Sequence, residues 1–154
     1  MKVTIALKKK SNSGLLDKII EKAIKIWTRS KYFHVEMIIK DKWISTNPEA
    51  GSVYIHDLQP LSDKYDYFDV EVDGRKVKTV MKFLKDQVGK PYDYWGIFFS
   101  IILTMDLEDH NKWFCSEIVS EALVLFGIKI PKSTNEMTPE DIYQLLKENN
   151  VTLN

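Results

Sequence analysis

Polar and apolar residues alternate along "KVTIAL", residues 2–7, and the β-branched Val3 and Ile5 reinforce the pattern, which predicts a strand. The period then changes. In "SNSGLLDKIIEKAIKIWTRS", Leu15, Leu16, Ile19, Ile20, Ala23, Ile24 and Trp27 recur at the spacing of the helical turn. They predict a helix with one apolar face, capped by Ser13. Two runs rich in β-formers follow, "YFHVEMIIK" and "DKWISTNP", with a "KDK" between them short enough for a tight hairpin. "GSVYIHDL" and "YDYFDVEV" predict further strands, separated by the polar "QPLSDK".

Helical spacing returns in "GRKVKTVMKFLKDQVGK", with Val77, Val80, Met81, Leu84 and Val88 on one side and Gly89 as the stop. "CSEIVSEALVLFG" predicts a second helix, ended by Gly127. "TPEDIYQLLKENN" predicts a third, with Thr138 as cap, Pro139 at the first helical position and Asp141 at the third. No repeat, low-complexity tract or linker divides the chain, so residues 1–154 are expected to form one domain. The mixed order of elements predicts an α+β fold with a largely antiparallel sheet.

Composition narrows the partners. The 22 basic and 22 acidic residues cancel, so no net field draws the chain to nucleic acid or an anionic surface, and the run Lys8 to Lys10 reads as a solvated edge. The most apolar window, "YWGIFFSIILTM" from Tyr94 to Met105, is shorter than the ~20 apolar residues of a spanning helix. It predicts a buried helix, or a wall that receives an acyl chain, and no integral membrane segment. The apolar run at the N-terminus is too short for a signal peptide, and its basic cluster follows instead of preceding.

One cysteine, Cys115, allows neither an internal disulfide nor a cysteine-based zinc site. A reducing, cytoplasmic setting is the expectation. Cys115 also stands where a polar-aromatic lead-in becomes an apolar-periodic helix. At a helix start the dipole stabilises a thiolate, and the unpaired N–H groups of the first turn can receive an oxyanion. The plain alternative is a small buried hydrophobe.

A thiol nucleophile needs a base, and there are three histidines. His34 lies mid-strand in "YFHVEMII", sharing a strand face with Glu36 and Ile38, and is stiffly held. His56, near a strand end, is expected to be exposed. His110, in the polar "LEDHNK", is the rival base. Pairing across the hairpin brings Ser45, Thr46 and Asn47 toward His34 as orienting partners, with Glu36 and Glu49 as further candidates.

"GKPYDYWGIF" followed by "WFCSEIVSEAL" resembles the signature of NlpC-type papain-like cysteine peptidases, and "FHVEMIIKDKWIST" resembles their histidine strand, hairpin and following strand. Here His34 precedes Cys115, the order found in the circularly permuted branch, the YiiX-like amidases and the related lecithin:retinol acyltransferase-like proteins. The resemblance spans Tyr32 to Phe126, about two thirds of the chain. It implies a permuted papain-like core, an antiparallel sheet packed against helices. It implies Cys115 as nucleophile, His34 as general base and a third polar residue near Thr46, where Ser45, Glu36 or Glu49 are the alternatives. Tyr92 matches the tyrosine whose hydroxyl lies by the active site. No metal or organic cofactor is implied.

The activity expected is cleavage of an amide in a small peptide or an amidated acyl group. The alternatives are a lipid-directed acyltransferase or thioesterase, and a non-catalytic binding domain on the same scaffold. The last draws its support from the weakness of Ser45 and Thr46 as orienting groups.

Overall fold

A computed structural model describes residues 1–11, 14–46, 51–91, 114–149 and 151. Within them the elements run β1 (Lys2–Lys8), α1 (Leu15–Thr28), β2 (His34–Ile39), β3 (Lys42–Thr46), β4 (Val53–Asp57), β5 (Tyr65–Glu71), α2 (Val77–Gln87), α3 (Cys115–Phe126) and α4 (Pro139–Glu148). The architecture is α+β, as the order of periodicities predicts.

The strands form an open antiparallel sheet in the order β4-β3-β2-β1-β5. β2 and β3 are joined at Lys40–Asp41, with Lys40 in the left-handed region at φ 57°. So short a connection fixes the register: Ile39 faces Lys42, Ile38 faces Trp43 and Met37 faces Ile44. Every residue of β2 is buried, so both faces of the sheet are covered there.

The two faces differ. Val35, Met37, Ile39 and Ile44 share one extensive apolar cluster with Val80 and Leu84 of α2, Ile118 and Leu123 of α3, and Ile142 of α4. On the other face Ala6, Ile38, Trp43 and Tyr67 form a smaller cluster. His34 and Glu36 alternate onto that second face with Ile38, at the end of β2 far from the hairpin turn.

Helix ends follow their local chemistry. At α4 the Thr138 Oγ1 accepts from Asp141 N–H at 3.2 Å, the cap its sequence predicts, and Asp141 Oδ2 accepts from Thr138 N–H at 2.9 Å to complete a reciprocal box. Gly127 ends α3 at φ 93°, where a side chain would be strained. Met81 of α2 is half-buried and Val88, the residue after the helix, is 49% exposed, so the buried stripe is Val77, Val80, Leu84 and Gln87.

α1 departs most from expectation. Its span is the expected one, but the N-cap is Gly14, which makes no side-chain cap, and Ser13 lies outside the described residues. Ile24 is buried, whereas Leu15 and Ile19 are exposed. The window Tyr94–Met105 also lies outside the described residues. No helix among the described residues is long and apolar enough to cross a membrane.

Candidate active site

Cys115 is the first residue of α3, preceded by Phe114 in extended conformation. Phe114 has no side-chain acceptor to cap the helix; Glu117 Oε2 accepts the Phe114 N–H at 3.3 Å instead. The apolar stripe of α3 docks on the sheet and sets its N-terminus against the start of β2. The result brings together two residues 81 positions apart: the Cys115 side chain is hydrogen-bonded to His34, and both are buried, at 6% and 5% exposure. The sulfur also accepts the backbone N–H groups of Val35 and Ser116.

The His34 ring is held from behind. Its Nε2 lies 3.0 Å from Glu36 Oε1 and 3.3 Å from Ser45 Oγ. With Nε2 occupied in this way, Nδ1 is the ring nitrogen left for the thiol. Glu36 is itself fixed by donors on both oxygens. Ser45 Oγ donates to Oε1 at 2.5 Å, the Trp43 indole N–H donates to Oε2, and the Tyr65 hydroxyl is hydrogen-bonded to the same carboxylate. A carboxylate has about four acceptor sites, so Glu36 is buried but well satisfied.

These contacts set the charges. Burial alone pushes the His34 imidazolium toward neutrality, but the Cys115 and Glu36 side chains outweigh it and raise its pKa to about 9. Burial pushes the Cys115 thiol up; the charge and hydrogen bond of His34, with the N–H groups of Val35 and Ser116, pull it below the ordinary thiol value. Glu36 follows the same logic: burial opposes its charge, and His34, Ser45 and Trp43 bring it below the usual carboxylate range. All three shifts favour one state, a row of thiolate, imidazolium and carboxylate. The first two titrate as a pair.

The sequence-predicted residues divide accordingly. Cys115 and His34 meet. Thr46, the third position implied by the resemblance, makes no bond to His34: it is fully buried, and its Oγ1 has no hydrogen-bond partner among the described residues. The reason is strand alternation, which sends Trp43 and Ser45 to one face of β3 and Ile44 and Thr46 to the other. Continuing the hairpin register by one step sets Ser45 opposite Glu36, and their side chains meet. Among the described alternatives, Glu36 is the one at the His34 ring at 3.0 Å, with Ser45 beside it. Glu49, Tyr92 and His110 lie outside the described residues. His56 is half-buried, its ring stacked on Tyr54 at 5.2 Å and on Trp43 at 6.1 Å, and its Nδ1 is 2.9 Å from the Asp57 carbonyl oxygen.

Trp43 and Tyr65 are the neighbours of Glu36 that sequence reasoning missed. Trp43 was recoverable, because the register that pairs Ile38 with Trp43 also puts its indole beside Glu36. Tyr65 reaches the carboxylate only through the pairing of β5 with β1, which no local pattern announces.

No known family's sequence profile matches this chain, and no curated protein matches it.

Proposed function

We propose that this chain is a cysteine hydrolase of the circularly permuted NlpC-type papain-like class, a single domain over residues 1–154. It cleaves an amide bond, in a peptide or an amidated acyl group, through a thioester on Cys115. One observation carries the reading: a buried thiol at a helix start is hydrogen-bonded to an imidazole whose other nitrogen rests on a fixed carboxylate. The order of the two segments, histidine strand before cysteine helix, supports the permuted branch.

The Cys115 thiolate attacks the substrate carbonyl carbon, forming a C–S bond while the carbonyl electrons move to oxygen. The Cys115 backbone N–H, at the first helical position, has no acceptor within the helix and is the donor placed to receive that oxyanion. Such a donor is worth about 3 kcal/mol in the transition state. Collapse breaks the C–N bond as the His34 imidazolium gives its proton to the leaving amine. Neutral His34 then takes a proton from water, the hydroxide attacks the thioester, and the C–S bond breaks to restore thiolate and imidazolium. Glu36 holds the ring and balances its charge throughout.

A non-catalytic scaffold drew its support from a weak third position. Glu36, carrying four donors, removes that support. A lone thiol of this kind suits a reducing compartment, and no cofactor enters any step. The test is direct. A thiol-directed acyl probe labels the wild-type chain and not Cys115→Ala, and turnover of peptide amides is compared with that of acyl-chain esters. Turnover that survives in Cys115→Ala removes the mechanism, while turnover of esters alone moves the chain to the lipid-directed reading.

A further inference from the structure

The outward face of α1 is apolar where a helix on a core should be polar. Leu15, Ile19 and Ile26 are 77%, 58% and 67% exposed. At 100° per residue they fall within about 40° of one another, whereas the buried Ile24 lies about 160° from their middle. They form a stripe about 16 Å long. Ile24 itself belongs to neither apolar cluster of the sheet.

A second stripe runs beside the first. Lys22 and Lys18 follow at about 20° and 60° on the other side of Leu15 on the helical wheel, and Arg29 is the C-cap, in the left-handed conformation; all three are exposed and none is in an ion pair among the described residues. Glu21, the acidic neighbour farther round, is engaged by Lys25 at 2.5 Å and by the Ser11 N–H at 2.8 Å. Among the described residues the cations of the stripe therefore stay uncompensated, although the whole chain is neutral. A shallow groove of about 520 Å³ adjoins them, lined by Lys10, Ser11, Lys18, Glu21, Lys22 and Lys25.

We propose that the outward face of α1 docks on an anionic lipid bilayer, with Leu15, Ile19 and Ile26 entering the acyl boundary and Lys18, Lys22 and Arg29 meeting the headgroups. The charge pattern and the shape favour this occupant. Adjacent apolar and basic stripes along one helix match the layering of a headgroup region above acyl chains. A convex helix surface seats on a deformable bilayer, whereas a peptide needs a concave bed. Residues 29–33 connect the helix to His34, a span of at most about 20 Å. A docked α1 therefore brings the catalytic pair near the lipid. The proposal stands independently of the chemistry assigned to Cys115.

The experiment is co-sedimentation of the full chain with phosphatidylcholine vesicles, with and without phosphatidylserine, at low and high salt. Binding is expected only with phosphatidylserine, weakening as salt rises. The paired change Ile19→Glu with Ile26→Glu should weaken it at least about tenfold, and Lys18→Glu with Lys22→Glu likewise. These positions are exposed, and circular dichroism with a thermal melt checks that the variants keep the wild-type fold. Absence of binding to phosphatidylserine vesicles at low salt overturns the proposal, as does equal binding by the folded Ile19/Ile26 variant. So does a concentration-dependent dimer that the same substitutions dissolve, since that gives the face to a second copy. Cys115 labelling is read in parallel and is expected to be unchanged in both variants.

Discussion

Asp66 and Glu36 are both buried carboxylates on neighbouring parts of one sheet, and they are held in opposite ways. Asp66 accepts from the Tyr32 hydroxyl at 2.7 Å, from Lys31 Nζ at 3.1 Å and from Lys9 Nζ. Two of its three partners are lysines, which keep their charge across the whole physiological range. Burial opposes its ionisation, and these partners overcome that to hold its pKa at about 2. Its bonds tie β5 to the end of β1 and to the segment entering β2. Glu36 has no lysine partner among the described residues. Ser45, Trp43 and Tyr65 are neutral near pH 7, and among the described residues its one partner that carries a charge there is His34. A carboxylate neutralised by lysines ties strands together. One solvated by neutral donors keeps its charge for an imidazolium and, through it, for a thiol.

The sharpest way to break that contrast is at its far end. Cys115→Ala should lose all turnover and all acyl-probe labelling while keeping the fold, since the replacement removes one sulfur from a buried site. A thermal melt and a labelling assay check both halves. Next in size, Glu36→Gln keeps the shape but removes the charge, and its single amide oxygen can accept only the donors on one side. We expect kcat/KM to fall about 100-fold or more, by analogy of role with the orienting carboxylate of other triads. The His34 pKa should fall from about 9, which the alkaline limb of a pH–rate profile reads directly.

That pH dependence has a definite sign. His34 is raised above its unfolded value of 6.5, so its contribution to stability is fully present below that value and is lost as pH rises through about 9. Cys115 is lowered, so its contribution is present above the ordinary thiol value and is lost as pH falls through the folded one. Thiolate and imidazolium coexist between the two, and activity should be bell-shaped over that window. Asp66 titrates elsewhere. Its stabilisation is complete above the unfolded value of 3.8 and is lost as pH falls through about 2.

Asp66→Asn is the complementary variant. It should cost about 1–3 kcal/mol in a denaturant titration, because two lysines and a buried tyrosine lose a charged acceptor. It should leave the iodoacetamide reactivity of Cys115 unchanged. A variant that loses thiol reactivity without losing the fold would show that the two carboxylates are not separate in function. The smallest effect belongs to Thr46→Val. The hydroxyl is buried without a partner among the described residues, so the isosteric change should leave activity intact. The free energy of unfolding should stay or rise by up to about 1 kcal/mol.

How much of this was legible depended on whether the signal was local. The cap at Thr138 and the stop at Gly127 are decided within a few residues, and they stand where the sequence puts them. The hairpin was legible, but its arithmetic carried more than was drawn from it. A two-residue turn places Ser45 opposite Glu36 and turns Thr46 to the other face, against the position that the resemblance implied. The donor Tyr65 depends on β5 returning to pair with β1, a contact that no window of sequence contains. In α1 the periodicity correctly located a helix, yet spacing cannot tell which part of a broad apolar arc the rest of the fold will cover. Leu15 and Ile19 were left outside.

The account rests on the proton shared between Cys115 and His34. The measurement that reaches it is a pH titration of the thiolate absorbance of the lone cysteine, in the wild-type chain and in His34→Asn. The account predicts a wild-type thiol ionising below the ordinary value, and a return to or above that value when the imidazole is removed. A wild-type thiol that titrates as an ordinary buried cysteine, unchanged by His34→Asn, would contradict it.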